Sequence, residues 1–243
     1  MNITFGLSGL EMSFSGVNFT IHKEGFLFVG IGAVLSLIFA TFSSVLAFIG
    51  IILTCFCAFF FRNPKRAVPL EQNLIVSPAD GVVCGVNLET PPAEIGLGEE
   101  QRYKISIFLS IFDVHINRLP VSGKVRSITY YPGSFLNAAL DKASVFNERN
   151  TVIVEMNGDS ENVMAFTQIA GMVARRIVCN IHEGQEVNKG ETFGLIRFGS
   201  RCDVWLPVGG IPLVFNGQKM VGGESVLCDV SIKKGSPREG VVI

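Results

Sequence analysis

Charge is almost absent from the first quarter of the chain, where only Glu11, Lys23 and Glu24 are charged before Arg62. Across all 243 residues, 20 Lys and Arg side chains balance 21 Asp and Glu side chains, for a formal net charge of −1. The chain therefore lacks the clustered excess of cations that neutralises phosphates, and we expect no nucleic-acid partner. From Arg62 onward the composition is that of an ordinary globular domain.

Cysteine pairs and metal-type spacings are also missing. None of the six cysteines forms a CxxC pair, and the three histidines, His22, His115 and His182, lie far apart. We therefore expect no metal site and buried free thiols, as in a reducing compartment.

One uncharged run of residues, 25–61, dominates the N-terminal part. A single helix of this length would extend about 55 Å, against a hydrocarbon core of about 30 Å. The polar cluster Thr41-Phe42-Ser43-Ser44 lies near its middle. We therefore predict a hairpin of two short helices, roughly 25–41 and 44–61.

The flanks of this run argue against a signal peptide, since it is too long and no small-residue cleavage site closes it. Arg62, Lys65 and Arg66 follow at once, and Pro64 ends the helix. By the positive-inside rule, these cations place the following domain on the cytoplasmic side of the cell (inner) membrane.

Short apolar runs separated by Gly, Pro, Asn and Asp make up the rest of the chain, as in YKISIFLSI, NTVIVEM and CDVWLP. This pattern predicts a mainly β fold, with only 133–149 irregular or helical. The turns at Gly184 and Lys189-Gly190 are similar to a lipoyl-type half-barrel, so we expect a barrel-sandwich domain over 67–243 after an N-terminal anchoring segment, 1–66. A carrier function is not indicated, because the chain has no Met-Lys-Met tripeptide.

Four stretches hold residues suited to chemistry. Gly199-Ser200 lies between two apolar, strand-like stretches, Asp80 lies in a Pro-Ala-Asp-Gly turn, His115 follows an apolar stretch, and 133–150 is a polar loop with cations. Taken singly, each has an ordinary explanation: turn residues, a packed histidine, and solvated charges. No GxSxG motif is present, so a hydrolase elbow is not supported.

Taken together, these motifs resemble a known family. The stretches FFRNPKR (60–66), SPADG (77–81), DVHINRLP (113–120), LDKAS (140–144), NERN (147–150) and FGSR (198–201) recur in the order typical of the short bacterial phosphatidylserine decarboxylases. The resemblance covers about residues 24–232.

Self-cleavage between Gly199 and Ser200 is what this resemblance implies. The Ser200 hydroxyl attacks the Gly199 carbonyl, and elimination and hydrolysis convert Ser200 into a covalent pyruvoyl group. Chains 1–199 and 200–243 then form a heterodimer. The pyruvoyl group condenses with the amine of phosphatidylserine and acts as the electron sink for loss of CO2, which gives phosphatidylethanolamine in phospholipid biosynthesis.

The resemblance also implies roles for further residues. His115 is the candidate that protonates the carbanion, since histidine titrates near neutral pH. Asp80 is the candidate that assists the base in self-cleavage. For contact with the lipid phosphate or carboxylate, the candidates are Lys142, Asn147 and Arg149.

Arg118 departs from the family pattern, because longer members have a second histidine there, in an HxxH spacing. Arginine cannot act as a general base. Either His115 serves both steps, or Arg118 stabilises the oxyanion while another group takes the proton.

Two other functions remain open at this point. One is a non-enzymatic, membrane-tethered β-domain that binds a lipid or a partner, with Gly199-Ser200 as a simple turn. The other is a pyruvoyl-dependent decarboxylase of a soluble amino acid, against which the apolar segment argues.

Overall fold

The computed structural model describes residues 2–6, 9–14, 17–133, 147–156, 159, 162–171, 176–197, 199–232 and 234–240, and before Thr20 the backbone alone. The chain divides into two compact units, Met1–Lys65 and Arg66–Ile243. The predicted irregular stretch 133–149 falls mostly on residues 134–146, which lie outside the described residues.

Two apolar helices form the centre of the first unit, as the hydrophobic run predicts. Helix α1 spans Lys23–Ala40 and α2 spans Ser44–Phe60. Of the described helices, α1 alone has the length and apolar composition needed to cross a membrane, and α2 is one residue shorter. The reversal falls at Thr41–Ser43, in the polar cluster.

Small residues allow the two helices to approach closely. A Cβ added to Gly32 would lie 2.6 Å from Thr54 Oγ1, and one added to Gly50 would lie 2.6 Å from Ser36 Oγ. The Ser36 and Thr54 hydroxyls donate to backbone carbonyls of their own helices, Gly32 O and Gly50 O. Polar side chains are thus satisfied inside an otherwise apolar pair.

A four-stranded antiparallel sheet completes the first unit, a feature that the sequence analysis did not predict. Its strands pair in the order β1-β2-β3-β4. They span Asn2–Gly6, Gly9–Phe14, Val17–Ile21 and Arg62–Pro64. Strand β3 precedes α1 and β4 follows α2. The antiparallel pairing of β3 with β4 therefore holds the two outer ends of the helix pair together.

The second unit is built on a curled eight-stranded antiparallel sheet, in the order β13-β9-β10-β11-β15-β7-β6-β16. Its strands are β6 (Gly81–Glu89), β7 (Arg102–Leu109), β9 (Gly123–Tyr131), β10 (Arg149–Met156), β11 (Val163–Ile169), β13 (Glu186–Val187), β15 (Ser200–Trp205) and β16 (Lys219–Met220). The predicted mainly β fold with an N-terminal helix pair is therefore confirmed.

Two smaller sheets and a short 3-10 helix pack around the large sheet. The three-stranded sheet has the order β12-β14-β8, and the two-stranded sheet pairs β17 with β5. These elements span β5 Leu74–Val76, β8 Ile116–Arg118, β12 Ile177–Cys179, β14 Thr192–Ile196, β17 Val226–Asp229 and the 3-10 helix Ala93–Ile95.

Burial explains why several strands read as continuous apolar runs. All residues of β11 and β15 are buried, whereas β6 and β9 begin with alternating buried and exposed positions. Strands covered on both faces are rich in apolar side chains, and buried polar residues in them, such as Gln168 and Asp203, are hydrogen-bonded. The main core lies on one face of the large sheet and includes Ile105, Val152, Phe166, Phe193 and Val204.

The cysteines match the sequence expectation only in part. None of the six forms a disulfide bond among the described residues; Cys202 and Cys228 are buried, but Cys55 and Cys84 are exposed. Cys84 lies in the alternating part of β6, where every second residue faces outward, so the prediction of buried thiols is wrong there.

Candidate active site

Gly199 and Ser200 lie where the chain passes from one sheet to another. Strand β14 belongs to the three-stranded sheet, and β15, which begins at Ser200, is a central strand of the large sheet. Gly199 has φ +60°, in the left-handed region that non-glycine residues rarely adopt. A Cβ added to Gly199 would meet no atom within 4 Å, so the glycine is required by backbone conformation and not by lack of space.

The Ser200 side chain is completely buried, and its Oγ makes no hydrogen bond within the part of the chain that the structure describes. Across the strand ladder, Ser200 pairs with Leu109 of β7. Next to it, Ala79, Leu109, Ala170, Ile196 and Cys202 form a small apolar cluster. A buried hydroxyl without a hydrogen-bond partner is costly, and this makes Ser200 a candidate functional residue.

His115 is also buried, just before β8. Its Nδ1 lies 3.0 Å from the Asp113 carbonyl oxygen. Because a carbonyl oxygen can only accept, Nδ1 is the donor, and Nε2 is the ring nitrogen that can exchange a proton. The His115 carbonyl accepts a hydrogen bond from Ile196 N (3.3 Å), which ties His115 to the strand leading to Gly199.

Asp80 is held by cationic and backbone donors. Arg66 Nη2 donates to Asp80 Oδ1 at 2.9 Å and to Oδ2 at 2.7 Å, and Gly222 N donates to Oδ1 at 2.8 Å. The Arg66 and Asp80 side chains are only 11% and 16% exposed, so this ion pair is largely shielded from water.

Arg118 lies in the same charged cluster, with Arg66, Asp80 and Glu224. Burial is the main cause that lowers the pKa of the Arg118 guanidinium; Arg66 lowers it further, while Asp80 and Glu224 act in the opposite direction. Its Nη1 donates to Gly190 O at 2.9 Å, and its backbone N donates to Pro78 O at 2.8 Å. The structure therefore brings Arg118 and Asp80 together.

The turn 77–81 connects this charged cluster with the residues packed next to Gly199 and Ser200. Pro78 accepts the hydrogen bond from Arg118, and Ala79 packs with Leu109 and Ile196. Asp80 follows directly. Backbone hydrogen bonds, strand pairing and chain adjacency thus link Asp80, His115, Arg118, Gly199 and Ser200 to one apolar cluster.

The three predicted lipid-contacting residues are more scattered. Asn147 is buried, and its Nδ2 donates to Ala170 O at 2.7 Å. Ala170 belongs to the apolar cluster next to Ser200. Arg149 donates to Glu94 Oε1 at 2.6 Å and lies 4.4 Å above the Tyr131 ring. Lys142 lies outside the described residues.

Arg149 faces the side of the large sheet opposite Ser200. It lines a pocket of about 150 Å³ together with Thr151, Thr167 and Asp203. Side chains alternate along a strand, so Asp203 and Ser200 of β15 point to opposite faces. The structure does not bring Arg149 and Ser200 together on one face.

Sequence reasoning missed a buried chain of amides beside Ser200. Asn150 Nδ2 donates to Gln168 Oε1 (3.1 Å), Gln168 Nε2 donates to Asn117 Oδ1 (2.9 Å), and Asn117 Nδ2 donates to Cys202 Sγ (3.7 Å). These contacts connect the large sheet to β8 of the three-stranded sheet. The available signal was the presence of Asn117 and Gln168 inside otherwise apolar stretches.

A second missed feature fixes the start of β15. Arg201 donates to both carboxylate oxygens of Asp203, each at 2.7 Å, and both side chains are almost fully buried. Two parallel charge-assisted hydrogen bonds hold the strand immediately after Ser200. The described residues include no group of three or more His, Cys, Asp or Glu side chains that could hold a metal ion.

Comparison with known proteins identifies the family of this chain. The family model for phosphatidylserine decarboxylase matches residues 53–228. The chain belongs to the phosphatidylserine decarboxylase family. Proteins named phosphatidylserine decarboxylase proenzyme from Rickettsia akari (strain Hartford) and Rickettsia bellii (strain OSU 85-389) are 48% and 49% identical to it over 214 residues, 88% of this chain and 92% of each relative.

All the candidate site residues described above fall inside the family match. They include Arg66, Asp80, His115, Arg118 and Ser200. The resemblance deduced from the six motifs is confirmed.

Proposed function

We propose that this chain is a proenzyme that cleaves itself at Gly199-Ser200 and then decarboxylates phosphatidylserine to phosphatidylethanolamine. The observation that carries the proposal is the buried Ser200 Oγ, which has no hydrogen-bond partner among the described residues and directly follows a left-handed glycine. A hydroxyl that only supported a turn would bond to nearby backbone.

Self-cleavage needs the Ser200 hydroxyl to reach the carbonyl carbon of the residue before it. Oγ attacks Gly199, the amide bond becomes an ester, and the serine nitrogen is released as an amine. Loss of the Ser200 Cα proton then expels the Gly199 carboxylate and leaves dehydroalanine, which water hydrolyses to the pyruvoyl group with release of ammonia. Gly199 supports this chemistry because it holds a left-handed turn at little steric cost, while Arg201 and Asp203 fix the chain on the other side of the bond.

The pyruvoyl group formed from Ser200 supplies the electrophilic carbonyl and the electron sink for decarboxylation. Its surroundings are small and apolar: Ala79, Leu109, Ala170 and Ile196. These side chains would limit the access of water to the carbon that receives a proton after loss of CO2.

His115 provides the proton for that carbon in the proposed mechanism. The Asp113 carbonyl fixes its Nδ1 as a donor and so directs proton exchange to Nε2. The hydrogen bond between His115 O and Ile196 N keeps the ring near the joint from which Ser200 emerges.

Arg118 and Asp80 act in self-cleavage rather than in decarboxylation. We assign Arg118 to stabilising negative charge, since arginine donates but does not accept protons. Asp80, paired with Arg66, assists the base by holding the turn 77–81 and Arg118 in place.

Lipid contact is assigned to Lys142, Asn147 and Arg149. Asn147 has support from its position beside Ala170, next to the Ser200 cluster. Arg149 is engaged by Glu94 and Tyr131, so it would have to release Glu94 in order to bind a phosphate.

The product of cleavage is a heterodimer of chains 1–199 and 200–243 with its catalytic unit on the cytoplasmic side of the inner membrane. Support for the membrane assignment comes from α1, the one described helix suited to crossing a bilayer, and from Arg62, Lys65 and Arg66 after α2.

Intact-mass analysis of the purified protein tests this function. We expect two chains, the smaller one blocked to N-terminal sequencing and reactive with hydroxylamine, and release of CO2 from phosphatidylserine but not from free serine. Ser200→Ala should give one uncleaved, inactive chain.

Ser106→Ala is the matched control, because Ser106 is a buried serine of the adjacent strand β7. This variant should cleave itself normally. A single chain of 26.4 kDa with an intact Ser200 in the wild-type protein would contradict the proposal.

A further inference from the structure

Two large apolar side chains are exposed at the turn between β7 and β8. Ile111 is 42% exposed and Phe112 is 65% exposed, and they are consecutive. We call this pair the apolar tip. Adjacent exposed apolar residues at a turn are unusual, since turns are generally polar.

The turn that carries the apolar tip is firmly held. Asp113 Oδ2 accepts from Ser110 N (2.8 Å), Asp113 N donates to Ser110 O (3.0 Å), and Phe112 N donates to Ser110 Oγ (3.4 Å). The hydrogen bonds fix the backbone on both sides of the tip, so its exposure is built into the turn.

The apolar tip lies directly beside the active site. Leu109, two residues before Ile111, pairs with Ser200. Asp113, directly after Phe112, contacts the His115 ring through its carbonyl. A surface that binds the apolar tip therefore comes close to the residues assigned to chemistry.

Charge in this region is compatible with an apolar, anionic surface. From Ile105 to Asn117 the only charged side chain is Asp113, and its carboxylate is used inside the turn. Insertion of Ile111 and Phe112 would therefore not require an exposed carboxylate to lose its hydration or to approach lipid phosphates.

We propose that the apolar tip inserts into the interface of a bilayer that contains phosphatidylserine and so brings the active site to the level of the head groups. This inference rests on the proposed function, which makes the substrate a bilayer lipid. The contact belongs to the catalytic unit itself and is additional to any anchoring by α1 and α2. Aromatic and aliphatic side chains at such depth gain from leaving water.

Fluorescence quenching tests the insertion directly. Phe112→Trp and, as a matched control, Leu88→Trp would each be reconstituted as the full chain in vesicles with and without brominated phospholipid. Leu88 is also an exposed apolar residue, 51% accessible, but it lies on β6 away from the turn. The native Trp205 is buried, and its signal in the wild-type protein is subtracted from that of each variant.

The fluorescence added by Phe112→Trp should be quenched by brominated lipid, and that added by Leu88→Trp should not. Equal quenching of the two, or none in either, would overturn the inference. If neither variant is quenched and the protein self-associates through residue 112, the apolar tip binds a second copy of the chain. That result would overturn the inference as well.

Kinetics provide a second, independent test. The double variant Ile111→Ser/Phe112→Ser should raise KM for phosphatidylserine in vesicles about tenfold, while self-cleavage and turnover of a short-chain, monomeric phosphatidylserine change less than about twofold. Leu88→Ser should behave like the wild type on both substrates. An equal loss on both substrates would place the effect in the site and not at the membrane. Failure of the wild-type protein to cleave or decarboxylate would instead contradict the proposed function.

Discussion

At the scale of single residues, the site depends on a conformation that only glycine adopts easily. Gly199 has a positive φ and open space around its Cα, so a methyl group at this position is opposed by backbone strain alone. Relief of that strain would change the direction of the Gly199 carbonyl. We therefore infer an alignment of this carbonyl with Ser200 Oγ that the backbone conformation sets.

Replacing Gly199 should affect the rate of self-cleavage more than the loss of unfolding free energy alone would explain. We expect Gly199→Ala to cost about 1–2 kcal/mol of unfolding free energy and to slow self-cleavage strongly. Gly184→Ala is the matched control, since Gly184 has φ +79° and no atom within 4 Å of an added Cβ. It should lose similar stability but cleave at the normal rate. Band intensities over time on a denaturing gel measure the cleavage, and normal cleavage of Gly199→Ala would contradict the alignment.

At the scale of secondary structure, the amide chain through Gln168 holds two sheets in register beside Ser200. Gln168 accepts from Asn150 and donates to Asn117, and Gly194 leaves room for this amide, since a Cβ there would lie 3.2 Å from Gln168 Nε2 and 2.0 Å from Val178 O. Buried polar groups of this kind are costly when one partner is removed. The chain thus fixes β8, which follows His115, against the strand that begins with Ser200.

Removing the central amide should be much more costly than removing one hydroxyl of a buried pair. Gln168→Leu leaves Asn117 and Asn150 without their partners, so we expect a loss of about 2–5 kcal/mol in unfolding free energy. Thr167→Val, on the opposite face of the same strand, breaks one hydroxyl contact with Thr151 (3.0 Å) and should cost about 1 kcal/mol. Denaturant unfolding of the full chain in detergent, in a Ser200→Ala background, can follow Trp205 fluorescence. Similar losses for the two variants would show that the amide chain adds little.

At the scale of the whole molecule, the segment 200–243 is interleaved with the rest of the catalytic unit. Strand β15 lies between β11 and β7, β16 pairs with β6, and β17 pairs with β5. Every one of these partners belongs to the segment before Gly199. Cutting one peptide bond at the joint between two sheets removes no ladder between these strands.

The two chains should therefore remain together after cleavage. We expect the cleaved protein to elute from a sizing column in detergent at the same volume as uncleaved Ser200→Ala, and the small chain to separate only in denaturant. Loss of the small chain on dilution under native conditions would contradict this interleaving.

Local patterns predicted much of this molecule, and long-range pairing accounts for most of what they missed. The helix pair followed from an uncharged run with a polar break, and the β-rich unit followed from short apolar runs between turn residues. Motif order led to Gly199, Ser200, His115, Asp80 and Arg118. These features depend on neighbours in sequence, which a single chain displays.

Other features depend on partners far apart in sequence. Gln168 and Asn117 are 51 positions apart in sequence but form a hydrogen bond. Arg66 pairs with Asp80 of the turn 77–81, and no periodic pattern in the sequence indicates this pair. The face on which Arg149 lies follows from strand register, which the sequence does not display. The sheet formed by β1 to β4 has alternating segments such as VNFTI, but its closure requires β4 on the far side of two helices.

The position of β15 also sets the order of events during synthesis. Its two neighbours, β7 and β11, are made earlier, and the pair Leu109 and Ser200 spans about half of the catalytic unit. Such non-local pairing forms late in folding. Since Ser200 reaches its buried position only when β15 enters the gap between those strands, a nascent or misfolded chain keeps its peptide bond intact. Self-cleavage is in this sense a checkpoint that only a completed fold can pass.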